Sequence, residues 1–180
     1  MLLSIDRCIN FVIRKYRKAV FKKKAKINHN NFKLVGKVTI MSSNIDLHIG
    51  TNVTLYDGVT FWGDGPISIG DNSSIGFRST ICSLSRGGVK IGSNVLIAAD
   101  CYIIDADHQV DKGILVRDQK QATAPITIGD DVWIAQNVTV LKGSTIGDGA
   151  VIGAKALVKG EIPENAICVG IPAKIIKERK

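Results

Sequence analysis

The feature that most constrains this chain is an aliphatic residue at every sixth position over its C-terminal third. Six such anchors follow one another without a gap: Ile128, Ile134, Val140, Ile146, Ile152 and Val158. A second register of small or aliphatic residues lies four positions after the first five anchors: Val132, Val138, Ser144, Ala150 and Ala156. A helix repeats near 3.6 residues and a strand near 2, so neither explains this period. A period of six is typical of a solenoid in which each short strand and its corner form one side of a coil.

The same period recurs earlier in the chain, in three groups of three anchors. These are Ile49, Leu55 and Phe61, then Ile69, Ile75 and Ile81, then Ile91, Ile97 and Ile103. Residues are inserted only between groups, so every insertion leaves from the same corner of a three-sided coil. Insertions in repeat arrays often form the binding face. We therefore predict that the longest insertion, residues 109–124, marks the active site.

The predicted organisation is one domain of five to six coils, which can bury a continuous apolar core because each coil stacks on the next. The predicted segments are a basic amphipathic helix (1–27), a linker and opening coil (28–45), the solenoid (46–162) and a capping tail (163–180). We expect the opening coil, residues 32–43, to be irregular. Leu34 and Ile40 fit the period, but the step to Ile49 does not.

The net charge of +8 belongs to the N-terminal segment and not to the solenoid. Residues 1–26 carry nine Lys or Arg and one Asp, and the rest of the chain carries fifteen residues of each sign. The apolar residues of this segment fall on one side of a helix: Leu2, Ile5, Ile9, Val12, Ile13, Tyr16 and Val20. Such a helix suits a cover for the open end of the solenoid, packing on a partner subunit, or docking on an anionic membrane. Nucleic-acid binding is not expected, because no recognition motif or aromatic interleaving accompanies the charge.

The remaining composition predicts a cytoplasmic protein. The four cysteines, Cys8, Cys82, Cys101 and Cys168, are not spaced like a metal clip and are expected to be small buried thiols. The longest early apolar run, Phe11 to Ile13, is far shorter than the roughly 20 residues of a membrane span. Charged and polar residues also interrupt any apolar core of a secretory signal.

A family resemblance rests on the six-residue repeats, the long insertion after a histidine, and the sequence near the C-terminus. Its most specific stretch runs from Ile-Thr-Ile-Gly-Asp-Asp-Val-Trp-Ile-Ala (126–135) through Val-Ile-Gly-Ala (151–154) to Gly-Ile-Pro-Ala (170–173). Over roughly residues 45–177 the chain resembles the hexapeptide-repeat acyltransferases, and within them the sugar and surface-polysaccharide O-acetyltransferases. The resemblance implies an all-β, left-handed parallel β-helix, a homotrimer, and acetyl transfer from acetyl-CoA without a metal.

His108 is the predicted catalytic residue. It follows the anchor Ile103 by five positions, so it lies at a corner, and it opens the long insertion. A histidine at this corner is the catalytic base of the resembled family, where an imidazole takes a proton from the acceptor hydroxyl and returns it to the leaving thiolate. Asp105 and Asp107 flank it, and either could orient the imidazole by accepting its second N–H.

The resemblance also implies the acetyl-CoA site. Four residues match the family's slot for the pantetheine arm: Ala135, Gln136, Gly153 and Ala154. Four lysines are available for the phosphates: Lys155, Lys159, Lys174 and Lys177. The family often has Gly at position 135, Thr-Lys at 159–160, and Arg at 174 and 177. A lysine neutralises phosphate without the planar, bidentate fork of arginine.

The acceptor site is predicted around the early coils. Trp62 and Arg78 are candidate sugar contacts, and Trp133 is expected to face outward and either to pack under the catalytic loop as structural support or to line the CoA cleft. Galactoside and maltose acetyltransferases use an Asn where this chain has Gly76, which argues against those simple acceptors. We therefore favour a sugar hydroxyl of a surface polysaccharide or lipopolysaccharide precursor.

Three alternative functions remain open at this point. The first is N-acetylation of a nucleotide-linked amino sugar by a similar mechanism. The second is a metal hydratase like the γ-class carbonic anhydrases, which requires three histidine ligands. His29 and His48 lie far back along the stack from His108. The third is a binding solenoid without catalysis.

Overall fold

The computed structural model describes the backbone of residues 2–27 and 29–180, and the side chains of residues 9–27 and 29–180. One α-helix, Leu2–Lys24, precedes a parallel β-solenoid of about six coils. This confirms the predicted fold class, a left-handed β-helix with an N-terminal helix and a long loop at one corner. The predictions that concern the side chains of Leu2, Ile5 and Cys8, and the placement of Asn28, lie outside the described residues.

The solenoid has three faces, and each face is a sheet to which every coil contributes one strand. Sheet A contains Phe32–Val35, Val53–Tyr56, Ser74–Ile75, Leu96–Ile97, Trp133–Ile134, Val151–Ile152, Ala166–Val169 and the antiparallel strand Lys174–Glu178. Sheet B contains Thr39–Ile40, Thr60–Trp62, Thr80–Cys82, Tyr102–Ile104, Thr139–Val140 and Leu157–Val158. Sheet C contains Asp46–Ile49, Pro66–Ile69, Val89–Ile91, Ile126–Ile128, Thr145–Ile146 and Glu161–Ile162. The chain runs from A to B to C in each coil, so three corners result: AB, BC and CA.

The core is the stack of anchors that the six-residue period predicts. All fifteen predicted anchors are buried, and each lies beside its equivalent in an adjacent coil, as Leu55 does beside Ile75 and Ile103 beside Val140. The stacked anchors form a continuous apolar column inside the solenoid. Burial of these side chains away from water is the main favourable contribution to the free energy of folding.

The opening coil is regular, unlike the expectation from its sequence. Leu34 pairs with Leu55 and Ile40 pairs with Phe61, and both side chains of the opening coil are buried. The residues that break the period lie between Ile40 and the strand that begins at Asp46. They occupy corner BC, so the disturbance is an insertion at a corner and leaves the sides of the coil intact.

Corner CA is held by a ladder of short polar side chains. Five corner residues adopt positive φ there: Asn52, Asn72, Asn94, Asp131 and Asn165. Asn and Asp tolerate this left-handed conformation better than most residues. The carboxylate of Asp130 accepts the backbone N–H of Ser93 at 2.7 Å, and Asp148 accepts that of Asp130 at 2.8 Å. This corner accordingly carries no insertion.

Gly63 at corner BC gives a direct test of how closely the coils stack. Its φ is +98°, and an added Cβ would overlap the carbonyl oxygen of Ser83 in the next coil. Gly63→Ala is therefore expected to destabilise the protein by about 3 kcal/mol or more, measured as the shift of the urea unfolding midpoint. Gly160→Ala is the matched control. Its φ is +92° but nothing lies within 4 Å, so about 1 kcal/mol is expected. Equal losses would show that backbone strain alone decides the effect.

Candidate active site

The longest insertion folds as a β-hairpin that leaves corner BC. Strands Ala106–His108 and Gln121–Thr123 pair antiparallel, with His108 opposite Gln121. A short 3₁₀ helix, Val116–Asp118, lies near the tip. His108 is exposed, because the hairpin carries it out of the coil wall. Its imidazole is therefore open to a substrate that approaches this corner.

Asp105 lies under the hairpin and is fully buried. Its carboxylate accepts the backbone N–H of Leu84 at 2.6 Å, the backbone N–H of Ser85 at 2.9 Å and the hydroxyl of Ser83 at 3.1 Å. Both carboxylate oxygens are thus engaged with the preceding coil, in the segment from Ser83 to Ser85. Among the described side chains, neither oxygen is bonded to His108, so an orienting role for Asp105 stays a prediction.

Asp107 has a different environment from Asp105. It is exposed, and its carboxylate lies 3.7 Å from the ammonium group of Lys142 in the next coil. Lys142 was not singled out from the sequence, although the period places it at corner BC directly above the hairpin. The pair ties the base of the hairpin to the coil above and puts a cation beside the segment that bears His108.

Cys82 lies close to this site but is not a candidate nucleophile. Burial, and secondarily the negative charge of Asp105, raise the pKa of the Cys82 thiol to about 12. A thiolate is the reactive form of cysteine, so this thiol stays protonated near neutral pH. Cys82 is therefore not expected to form a covalent intermediate.

A column of small residues runs along corner AB. The backbone N–H of Ala98 donates to Ile134, that of Ala135 to Ile152, and that of Gly153 to Cys168, each at 2.8–2.9 Å. These three residues therefore stack over successive coils with Gly76 below, and their neighbours Gln136 and Ala154 are exposed. A column without bulky side chains lets a narrow, extended ligand lie against the backbone. The predicted pantetheine residues are thus brought together.

Arg78 and Gln136 belong to one polar network at the same corner. The guanidinium of Arg78 makes two hydrogen bonds to Asp100, at 2.7 and 2.8 Å, and the amide of Gln136 donates to Asp100 at 3.2 Å. The hydrogen bonds from Arg78 and Gln136 hold the pKa of the Asp100 carboxyl below its usual value. A residue predicted to contact the acceptor and one predicted to contact acetyl-CoA therefore share a partner that the sequence did not indicate.

The predicted phosphate-binding lysines divide between two corners. Lys155 lies at corner AB, and Lys174 and Lys177 lie on the last strand of sheet A. Lys159 lies at corner BC, one coil above Lys142. Lys155 and Lys174, which pairs with Val169, thus accompany the column of small residues, Lys177 pairs with Ile167 farther from this corner, and Lys159 accompanies His108.

The two predicted tryptophans also lie on different faces. Trp62 ends a strand of sheet B, two coils below Ile104, and is 38% exposed. It therefore lies in the column that leads to the His108 hairpin. Trp133 is 52% exposed on sheet A, beside Leu96 of the preceding coil. Trp133 is close to corner AB and does not pack under the hairpin of its own chain.

Two groups of candidate residues thus lie at opposite edges of sheet B. His108, Asp107, Lys142 and Lys159 lie at corner BC, and the column of small residues with Lys155 lies at corner AB. Within the part of the chain that the structure describes, no three His, Cys, Asp or Glu side chains are grouped closely enough to hold a metal ion. Over the same residues, no helix combines the length and apolar character that crossing a membrane requires.

Comparison with known protein families identifies the repeat. Residues 125–160 match the model described as bacterial transferase hexapeptide (six repeats), and residues 66–104 match the hexapeptide repeat of succinyl-transferase. Both matches lie within the solenoid.

Several relatives are named as acetyltransferases. The chain is 32% identical to WbbJ of Escherichia coli K12, whose name assigns it to O-acetyl transfer in lipopolysaccharide biosynthesis, over 85% of this chain and 82% of WbbJ. It is 34% identical to the galactoside O-acetyltransferase of the same organism, over 84% of this chain and 73% of that protein. It is 42% identical to Rv3034c of Mycobacterium tuberculosis, named as an acetyltransferase, but the chain spans only 39% of that protein.

Two solved structures agree on the architecture. AntD, an N-acyltransferase of Bacillus cereus solved with dTDP and 3-hydroxybutyryl-CoA, superposes with a TM-score of 0.70 over 84% of this chain and 81% of its own, at 21% identity. This likeness concerns the fold alone. VCA0836, a hexapeptide-repeat acetyltransferase of Vibrio cholerae solved with acetyl-CoA, superposes with a TM-score of 0.58 at 30% identity, over 67% of this chain and 65% of its own.

Proposed function

Because this chain belongs to the hexapeptide-repeat acetyltransferase family, we propose that it transfers acetyl from acetyl-CoA to a sugar hydroxyl of a surface polysaccharide or lipopolysaccharide precursor. The observation that supports this most is the exposed His108 on a hairpin at the insertion corner, in a chain whose relatives are O-acetyltransferases. We place the enzyme in the cytoplasm, where acetyl-CoA is available.

In the proposed mechanism, His108 acts as general base. A ring nitrogen takes the proton of the acceptor hydroxyl while the hydroxyl oxygen attacks the thioester carbonyl carbon. The carbon–sulfur bond then breaks, and His108 returns the proton to the leaving sulfur, which gives the ester and free CoA thiol. Asp105 is engaged with the backbone of Leu84 and Ser85, and Asp107 is paired with Lys142. Asp107 and His108 are also consecutive residues of one strand, so their side chains leave opposite faces of the hairpin.

Two copies of the chain are needed to complete the proposed site. His108 and the column of small residues lie at different corners of one solenoid, and in a homotrimer corner BC of one copy can face corner AB of the next. Closed cyclic symmetry would bury the exposed Trp133 and Leu96 beside corner AB. Multi-angle light scattering tests this assembly. A monomer at assay concentration would contradict the shared site.

The substrate class is tested by thiol release from acetyl-CoA with a panel of acceptors. The panel contains extracted O-antigen and capsule precursors, galactosides, free serine and nucleotide-linked amino sugars. We expect thiol release and an alkali-labile acetyl ester with a glycan precursor. Formation of an alkali-stable amide on a nucleotide-linked amino sugar would instead show that the enzyme is an N-acetyltransferase. If no acceptor responds and titration detects no CoA binding, the solenoid is not an acetyl-CoA enzyme.

A larger side chain at Ala154 is expected to block the pantetheine slot. Ala154 is exposed at corner AB, so Ala154→Leu should fold normally and raise the KM for acetyl-CoA about tenfold, because a close-fitting cleft accommodates extra methylenes poorly. The KM for the acceptor should change little. Ala19→Leu, an equally exposed alanine on the N-terminal helix, is the matched control. Unchanged acetyl-CoA kinetics in Ala154→Leu would place the slot elsewhere.

A further inference from the structure

Among the described side chains, the N-terminal helix is buried against the solenoid at its C-terminal end. Phe21 and Ala25 are buried, and the Phe21 ring lies 5.9 Å from that of Phe32 and 6.4 Å from that of Phe61. This end therefore covers the open first coil, which is one of the roles considered from the sequence. Every residue from Ile9 to Arg17 is exposed.

Lysines on the same side fasten the helix in this position. Lys18 donates to the carbonyl of Asn30 at 2.8 Å, Lys22 donates to the side chain of Asn30 at 2.7 Å, and Lys24 donates to the carbonyl of Ile40. Desolvation, followed by the charges of Lys22 and Arg14, lowers the pKa of Lys18. The orientation of the helix about its own axis is thus fixed by packing and by hydrogen bonds.

That orientation leaves an apolar stripe on the outer side of the helix. The stripe consists of Ile9, Val12, Ile13, Tyr16 and Val20, all exposed, with Val12 at 63% and Tyr16 at 71%. At about 100° per residue, Phe21 and Ala25 lie about 120–160° around the helix from Ile9, so Ile9 and Val12 point away from the buried contact of Phe21. Tyr16 and Val20, at the edge of the stripe, border an open groove next to the first coil but remain exposed. Exposed apolar patches of this kind mark sites of interaction.

The charges beside the stripe indicate what covers it. Residues 9–45 contain ten Lys or Arg and no Asp or Glu. Arg17 and Lys23 flank the stripe, and no acidic partner within 4.0 Å is present for either among the described residues. A second copy of the helix would bring an equal positive charge against this one, so packing of stripe on stripe is opposed by repulsion. An anionic surface has the complementary charge.

We propose that the stripe docks on an anionic lipid surface, with the helix lying in the membrane interface and the solenoid held by its first coil against that surface. Apolar burial of Val12 and Tyr16, together with attraction of Arg17 and Lys23 to acidic headgroups, supplies the binding. The proposed membrane docking does not depend on the proposed acetyl transfer.

Sedimentation of the full-length protein with vesicles tests the proposal. Vesicles of phosphatidylcholine with phosphatidylglycerol should bind the wild type at low ionic strength, whereas pure phosphatidylcholine should not. Val12→Gln combined with Tyr16→Gln should weaken binding by about tenfold or more, since two apolar contacts are lost. Lys23→Gln should weaken it about fivefold, since each cation near an anionic surface contributes about 1 kcal/mol.

Matched controls separate docking from general surface effects. Ile176→Gln removes an apolar side chain of similar exposure from the last strand of sheet A, at the far end of the solenoid, and Lys90→Gln removes an exposed cation from sheet C; both should bind like the wild type. The proposal fails if the wild type does not bind anionic vesicles, or if the stripe variant binds equally well. It also fails if the stripe variant instead loses its oligomeric state, because the stripe would then be a protein interface. Acetyl transfer to a water-soluble acceptor should be unchanged in the stripe variant.

Discussion

His108→Ala is expected to lower acceptor-dependent thiol release from acetyl-CoA by about 100- to 10,000-fold, the usual contribution of a general base. The variant should fold normally, because His108 is exposed and its side chain makes no hydrogen bond to the described residues. Binding of CoA, measured by titration, should be retained, because the predicted binding column lies at corner AB. The loss should therefore appear in kcat and not in the affinity for CoA.

The matched control is His48→Ala. His48 is also exposed on a strand, and its imidazole lies 2.9 Å from the carboxylate of Asp46. His48 belongs to sheet C in the early coils, away from the hairpin. The activity of the His48→Ala variant should therefore equal that of the wild type. If the activity of His108→Ala is within a few-fold of that of the wild type, His108 is not the catalytic base. An equal loss of activity in both variants would indicate a general effect of removing a histidine.

Asp105→Ala is expected to cause the largest loss of stability among the single changes considered at the site. It would leave the buried backbone N–H of Ser85 and the partly buried N–H of Leu84 without their acceptor, whereas the hydroxyl of Ser83 can still donate to the carbonyl of Pro66 at 3.1 Å. Each unsatisfied buried donor costs about 1–3 kcal/mol, so a loss of about 3 kcal/mol or more is expected in urea unfolding. Asp107→Asn is the matched control, because its partner is one partly exposed lysine, and a change of about 0.5 kcal/mol or less is expected.

Asp105→Asn distinguishes the two roles considered for this carboxylate. The amide keeps one acceptor oxygen, so much of the fold should survive at low temperature. If Asp105 only anchors the segment from Ser83 to Ser85, the free energy of unfolding should fall while kcat of the folded enzyme changes little. If Asp105 orients His108, kcat should fall steeply with little change in KM, as for the aspartate of a catalytic triad. The contacts in the structure favour the first outcome.

Much of this architecture could be predicted from the order of residues. The six-residue period identified the buried anchors, from Ile49 to Val158, because every coil imposes the same inward direction on the same position. The corner that carries the insertions could also be deduced from the spacing between anchor groups. His108 was found because it is the histidine that opens the longest insertion. Lys142 could have been found by the same reasoning, since it stands at the equivalent corner of the next coil.

The opening coil shows where the periodic argument was too strict. Leu34 and Ile40 take their places in sheets A and B although the following residues break the period. A corner accepts additional residues without disturbing the strands on either side. An interrupted period therefore does not imply an irregular coil.

The sequence by itself determined the solenoid, its buried columns, and the corner at which His108 emerges, because these follow from a local repeat. Only the tertiary structure decided which side chains from different coils meet. Asp105 meets Ser83 from 22 positions earlier, and Gln136 meets Asp100 from 36 positions earlier, because insertions of unequal length set the offset between coils. Only the structure, too, showed that His108 and the column of small residues lie at opposite edges of sheet B, and that the N-terminal helix leaves its apolar stripe exposed. The six-residue period fixes which side chains point into the solenoid. The offset between stacked coils fixes which residues of different coils are neighbours, and the packing of Phe21 on the first coil fixes which side of the helix is exposed.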